Sequence, residues 1–318
     1  MMNTESQPQA QAEITTPDRN SLLQGSWEQS GRSLNTAAII ALLGIGVLYF
    51  NAESIIVVIT IGIGQLVSGG PDMSGNYFDR LSEFMKYYAA PLQAVVLVSE
   101  FSFMLMPVLW LIKRWHTSDI RGYIRLKRSS FVEILLAVIA TLTLIPASNW
   151  IADELLRQLH IPEKLLEMNA EIFTAHSTGE LLWLVVVICL TPAICEEIFF
   201  RGYVQRTFER TIRWKSILLV GIFFGLFHFQ PLGLVSLSML GILFGYFYYR
   251  SKSLLPSMAA HFTNNFVAIL ILYQPMDTQQ EGIRSIAGQL PLWLIGATLP
   301  VEIGILYLYQ KVTNKYNP

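Results

Sequence analysis

The chain has 318 residues, 53% of them hydrophobic and 14% charged, with a formal net charge of −1. A soluble globular chain carries roughly 25% charged residues, and the mean hydropathy here is +0.44. So much Leu, Ile, Val and Phe cannot be hidden in a water-soluble core, so the composition excludes a soluble two-domain protein, and the near-zero charge excludes a general attraction to nucleic acid.

Residues 1–35 are rich in Gln, Ser, Thr and Asn and show little apolar pattern, which predicts a disordered tail. No basic stretch leads into an apolar run near Met1, so the tail does not read as a signal peptide. A bilayer crossing needs about 20 mostly apolar residues. Candidate runs follow at 36–67, 91–112, 131–151, 180–200, 216–230, 234–250, 254–273 and 291–310. The expectation is an all-α, polytopic membrane bundle of about eight transmembrane helices. It divides into N-terminal membrane helices (36–179), a core that carries the chemistry (180–273), and a last loop, final helix and short tail (274–318). Asn51 and Glu53 interrupt the first run, which could be two short helices, but the loop charges described below alternate only if it is one long or broken unit crossing once. Gln230–Gly233 is a tight turn, which predicts an antiparallel hairpin from the runs on either side. The two cysteines, Cys189 and Cys195, lie six residues apart in one apolar run. They read as small hydrophobes, and no secreted disulfide framework is present.

Lys and Arg collect in cytoplasmic loops. Lys113, Arg114, Arg121, Arg125, Lys127 and Arg128 follow the second run, and Arg206, Arg210, Arg213 and Lys215 follow the fourth. Arg250 and Lys252 follow the sixth, and Lys311 and Lys315 the eighth. Residues 148–180 carry six acids and two bases, and 68–90 and 274–290 are each net −1. The alternation predicts both termini in the cytoplasm. The style of the tail and loops predicts a bacterial inner membrane.

An ionisable group in hydrocarbon costs at least about 2.5 kcal/mol and is a functional hypothesis by default. Glu53, Glu100, Glu196, Glu197 and Glu302 lie in apolar runs, as do His228 and His261, with Arg201 close to that depth. Glu53, Glu100 and Glu302 read first as protonated core or interfacial groups. His116, His160 and His176 read as solvated loop residues. Residues 196–265 are organised differently. Glu197 and Arg201 are four apart on one helix face, acid first, and Glu196 projects about 100° away. Phe224-xxx-His228 lies one run later and His261-xxx-Asn265 two runs after that. Helix rise puts these groups roughly 10–20 Å above the basic boundary, at a common level. Small-xxx-small pairs, Gly221/Gly225 and Gly241/Gly245, would let the helices approach.

A carboxylate beside a histidine can deprotonate water, and a second histidine with an amide can stabilise an oxyanion. No serine or cysteine sits in a credible nucleophile setting: Ser236 and Ser238 lie in the sixth run without a neighbouring base, and Cys195 reads as facing another helix. Gly-rich phosphate loops, H-E-x-x-H and CxxC are absent from the sequence. No cofactor is required on this reading, though Glu196, His228 and His261 would supply three ligands of an open zinc site. The metal-free version is favoured because Asn265 suits a donor better than a ligand.

Glu196-Glu197-xxx-Arg201, Phe224-xxx-His228 and His261-xxx-Asn265, each on its own helix, resemble the three motifs of the CAAX protease and bacteriocin-processing family. Its members are also called CPBP or Abi-type intramembrane proteases and include Rce1-type prenyl-protein endopeptidases. The resemblance covers roughly 180–273. It implies a helical bundle with a cavity open to the cytoplasm and a peptide or membrane-protein substrate. It also implies that Glu196 and His228 activate water, Glu197 and Arg201 support the site, and His261 and Asn265 stabilise the oxyanion. Family members have been labelled both metalloproteases and glutamate-dependent proteases. An ion-coupled transporter and a catalytically silent membrane scaffold are the rival readings. No internal repeat of the kind many carriers show relates the two halves.

Overall fold

The computed structural model describes residues 23–72, 74–160, 172–230, 233–273 and 292–316. Among them the regular structure is helical, with no strand. A short helix α1 (Ser26–Gln29) precedes the long α2 (Leu34–Ser68). A continuous rod, α3 (77–116), contains π-helical stretches at Glu100–Leu105 and Ile112–His116. A one-turn α4 (Ile120–Tyr123) leads into α5 (Phe131–Gln158). The second rod, α6 (Thr178–Ile212), is π-helical over Val185–Leu190 and Ile198–Gln205. Then come α7 (Lys215–Phe227), α8 (Leu234–Ser251), α9 (Leu255–Leu272) and α10 (Leu292–Thr313).

The eight apolar runs all fall on helices, but five helices are both long and apolar enough to cross a membrane: α2, the rods α3 and α6, α5 and α9. The count of eight crossings is not confirmed. The 13 residues of α7 rise only about 20 Å, short of a hydrocarbon core of about 30 Å. The first run is one unbroken helix of 35 residues; Asn51 continues the ladder by donating from Nδ2 to the Val47 carbonyl at 2.7 Å.

Small residues set the packing. On α2 the buried positions Ala37, Ala38, Ala41, Leu42, Ile45 and Tyr49 form one stripe, while Leu43, Val47, Ile55, Val58 and Ile59 are exposed. A stripe of exposed large apolar side chains is tolerable only against lipid. The α7–α8 hairpin is held as the glycine pairs predict. A Cβ on Gly221 would lie 2.6 Å from the Ile242 nitrogen, and one on Gly241 2.7 Å from the Gly221 oxygen. Both cysteines are buried and unpaired.

The basic segments meet at one end of the bundle. Arg125 forks onto Glu209 through two 2.8 Å hydrogen bonds, and Lys252 reaches the same carboxylate at 2.9 Å. Lys315 pairs with Glu133 at 3.2 Å. This end also corrects two expectations. The polar tail through residue 35 is not disordered along its last part. The Gly25 N–H donates to the His116 carbonyl at 2.8 Å, Trp27 stacks near Trp115 with centroids 4.8 Å apart, and Arg210 bonds Glu28. His116 is fully buried rather than solvated, between the Glu28 carboxylate (2.7 Å) and the Tyr203 hydroxyl (3.2 Å). A hydrogen bond to a carboxylate 88 residues away compensates burial of the imidazole, and the local sequence carries no sign of it. His160 is exposed as expected and His176 is half-buried. The tail over 1–22 and the loop over 274–291 lie outside the described residues.

Candidate active site

The site is built on α6. Ser177 caps its start, accepting from the Glu180 N–H at 3.2 Å, while Glu180 accepts from the His176 N–H at 2.9 Å. Pro192 has no N–H to give to the Ile188 carbonyl four residues earlier, and π-helical geometry surrounds that position. π-bulges of this kind recur at functional sites. Asn265 on α9 fills the vacancy, donating from Nδ2 to the Ile188 oxygen at 2.8 Å. Its Oδ1 accepts from the Asn264 amide at 3.1 Å. Asn265 therefore ties α9 to α6 and keeps one amide N–H uncommitted.

Glu197 and Arg201 form the expected pair at 2.7 Å, both fully buried. The pair is the centre of a larger network. The same Glu197 Oε1 meets His261 Nδ1 at 2.9 Å, and the Ser257 hydroxyl donates to Oε2. Arg201 also donates to the Gly241 carbonyl at 3.0 Å and lies over the Phe224 ring at 4.4 Å. The carboxylate thus collects donors from three side chains on two helices, which is how a buried charge is made tolerable. Ser257 was not singled out from the sequence. It lies one turn before His261 on the same face of α9, and that spacing was the available signal.

Glu196 faces elsewhere, as its rotation on the helix predicts. It lines a cavity of about 200 Å³ with His228, Phe200, Phe227 and Met104, and with Tyr49, Phe50 and Glu53 of α2. Its Oε2 is buried without a hydrogen-bond partner. His228 closes the C-terminal end of α7, and its Nδ1 lies 2.8 Å from the Phe224 carbonyl. A carbonyl only accepts, so Nδ1 carries the proton and a neutral ring presents Nε2 as an acceptor. Glu53, read first as a bland core or interfacial group, shares this cavity. Glu100 is buried, with one carboxylate oxygen unpartnered, and interacts electrostatically with Glu196 and Glu53. Nothing in the local sequence of α2 shows that Glu53 meets Glu196.

Five of the six motif residues therefore fall into two adjoining groups, while Asn265 bonds the Ile188 carbonyl and the Asn264 amide. Glu196 and His228 face the cavity, whereas Glu197, Arg201 and His261 form the buried network. Phe224 stands between them, its ring centroid 4.9 Å from His228 and 5.6 Å from His261. Neither His261 nor Asn265 is on the cavity wall. With Nδ1 engaged by Glu197, His261 has Nε2 left for other partners. Among the described residues no group of three or more His, Cys, Asp or Glu is placed to hold a metal ion. The zinc set of Glu196, His228 and His261 is thus not gathered, and the residues as placed do not fit that metal. Glu302 lies apart and accepts from the Thr143 hydroxyl at 2.5 Å.

Residues 178–267 match the family described as type II CAAX prenyl endopeptidase Rce1-like. That segment is similar to the Rce1-like family over 90 of the chain's 318 residues. No curated protein and no solved structure matches the chain.

Proposed function

We propose that this protein is an intramembrane endopeptidase. It hydrolyses a peptide bond in a membrane-associated or membrane-proximal substrate, with water activated by Glu196 and His228. The observation that carries the reading is the shared cavity. The unpartnered Glu196 oxygen and His228 face the same small space, the arrangement a general base needs to hold and deprotonate a water. Hydroxide then adds to the carbonyl carbon, and the C–N bond breaks as the proton held by the Glu196–His228 pair passes to the leaving amine. The uncommitted N–H of Asn265 and the Nε2–H of a His261 imidazolium, whose Nδ1–H Glu197 holds, are the groups assigned to the developing oxyanion. Glu197, already committed to Arg201, His261 and Ser257, orients His261 rather than meeting water. The base-rich end faces the cytoplasm, in the inner membrane of a bacterium.

The test is cleavage of a membrane-proximal peptide library by purified protein, with and without chelator. Glu196→Gln keeps the side chain's shape and removes the base, so turnover is expected to vanish while the fold persists. Cleavage at the wild-type rate by Glu196→Gln would overturn the mechanism.

A further inference from the structure

The base-rich end holds a second cavity, of about 790 Å³, that the proteolytic reading does not use. Six cations line it: Arg121, Arg125, Lys127, Arg206, Lys252 and Lys315, with Glu209 as the one acidic lining residue. Glu209 is already engaged by Arg125 and Lys252, and Lys315 is partnered by Glu133. Lys127 lies over the Tyr316 ring at 5.3 Å, and Glu209 and Glu133 are two carboxylates against six cations. The Nε of Arg206 is buried without a hydrogen-bond partner.

Cytoplasmic topology requires bases somewhere on this side of the membrane. It does not require four separate segments to aim them into one space. The convergence is built. The Leu254 N–H donates to the Arg125 carbonyl at 3.1 Å, and the Ser253 hydroxyl donates to the Lys127 carbonyl at 2.7 Å. These bonds lock the 121–127 and 252–254 segments together. Arg125 and Lys252 hold positive φ angles of 58° and 54°. For Lys252 this is the left-handed cap that ends α8, its N–H donating to the Tyr248 carbonyl. Arg206 lies ten residues beyond Glu196 on α6, roughly 15 Å along the axis, so this site is separate from the candidate active site.

The geometry points to a binding site for a phosphate-bearing anion in this cavity, with Arg206 and the Arg121–Lys127 segment as its principal contacts. Clustered guanidinium groups match the oxygens of a phosphate through charge-assisted, bidentate hydrogen bonds. The phosphate comes from an anionic lipid headgroup at the membrane surface or from a free phosphorylated solute.

The full chain, purified in an uncharged detergent, is titrated with short-chain phosphatidylglycerol, short-chain phosphatidylcholine or inorganic pyrophosphate. Thermal melting is followed, since a ligand of the folded state raises the melting temperature saturably. A saturable rise with phosphatidylglycerol but not with pyrophosphate assigns a lipid headgroup. A rise with pyrophosphate at equal or lower concentration assigns a free phosphate. Phosphatidylcholine, whose choline cancels the phosphate charge, gives no saturable rise. The double variant Arg121→Gln/Lys127→Gln changes two exposed side chains and is expected to weaken binding at least tenfold, as is Arg206→Gln. Should Arg206→Gln fail to fold, the double variant decides. The site is refuted if neither anion gives a saturable rise, or if the double variant binds as tightly as the wild type.

Discussion

At Glu197 one carboxylate accepts from Arg201, His261 and Ser257 with no exposure to solvent. Removing the arginine leaves that charge uncompensated, and breaking a buried pair typically costs about 3–5 kcal/mol. Arg201→Ala is expected to lower yield and thermal stability as well as activity, measured by melting in detergent. A stable, fully active Arg201→Ala protein would show that the network is dispensable. Glu28 supplies a pH prediction outside the spans. Burial works to raise its carboxyl from an ordinary value near 4.5, but hydrogen bonds and charge from His116 and Arg210 outweigh this and bring it down to about 2. A depressed folded-state value means the contribution is complete above about pH 4.5 and is lost as pH falls toward 2. The melting temperature should therefore drop across that window, and the drop should be smaller in Glu28→Gln. An identical acid profile in the variant would remove Glu28 from the account.

The helices position these residues by close approach and by interrupted ladders. A Cβ at Gly221 meets Ile242 Cγ1 at 2.5 Å and the Ile242 nitrogen at 2.6 Å, so a backbone must move, whereas one at Gly44 meets nothing within 4 Å. Overpacking a tight contact costs about 1–3 kcal/mol. Gly221→Val should destabilise by that order and shift His228, at the far end of α7, reducing cleavage. Gly44→Ala should be neutral or slightly stabilising, since alanine is the better helix former. Equal melting temperatures for the two variants would mean that the hairpin does not depend on the glycine contact. The π-helical stretch before Pro192 belongs to the same scale: an imino acid opens a place in the ladder, and Asn265 from another helix occupies it.

For the molecule as a whole, the four basic segments gather at one end, as the alternation of loop charge predicts. The short α7 does not disturb this pattern. A hairpin that turns back within the bilayer returns its outer ends, Lys215 and Arg250, to one side just as two full crossings would. The two native cysteines are buried, so single cysteines at positions 160 and 213 can be labelled by an impermeant thiol reagent. Position 160, exposed at the end of α5, should react only from outside the cytoplasm, and position 213 only from the cytoplasm. Labelling of both from one side would overturn the topology.

Membrane residence, the helical architecture, the hairpin and the pairing of Glu197 with Arg201 were legible in the sequence. Each depends on local quantities: apolar run length, loop charge and residues four apart on one turn. The three motifs also carried the resemblance that the family match over 178–267 supports, because their order and spacing are linear properties. The tertiary structure decided which groups meet. His261 joins Glu197 across 64 residues, His116 joins Glu28 across 88 and Glu53 enters the cavity of Glu196. None of these contacts leaves a periodic trace, because helix–helix register is set by small residues on other segments. Where each helix stops was also decided there, since an apolar run shows composition but not helix ends. Polar groups in an apolar bundle must find partners wherever packing places them, and packing is a property of the whole chain.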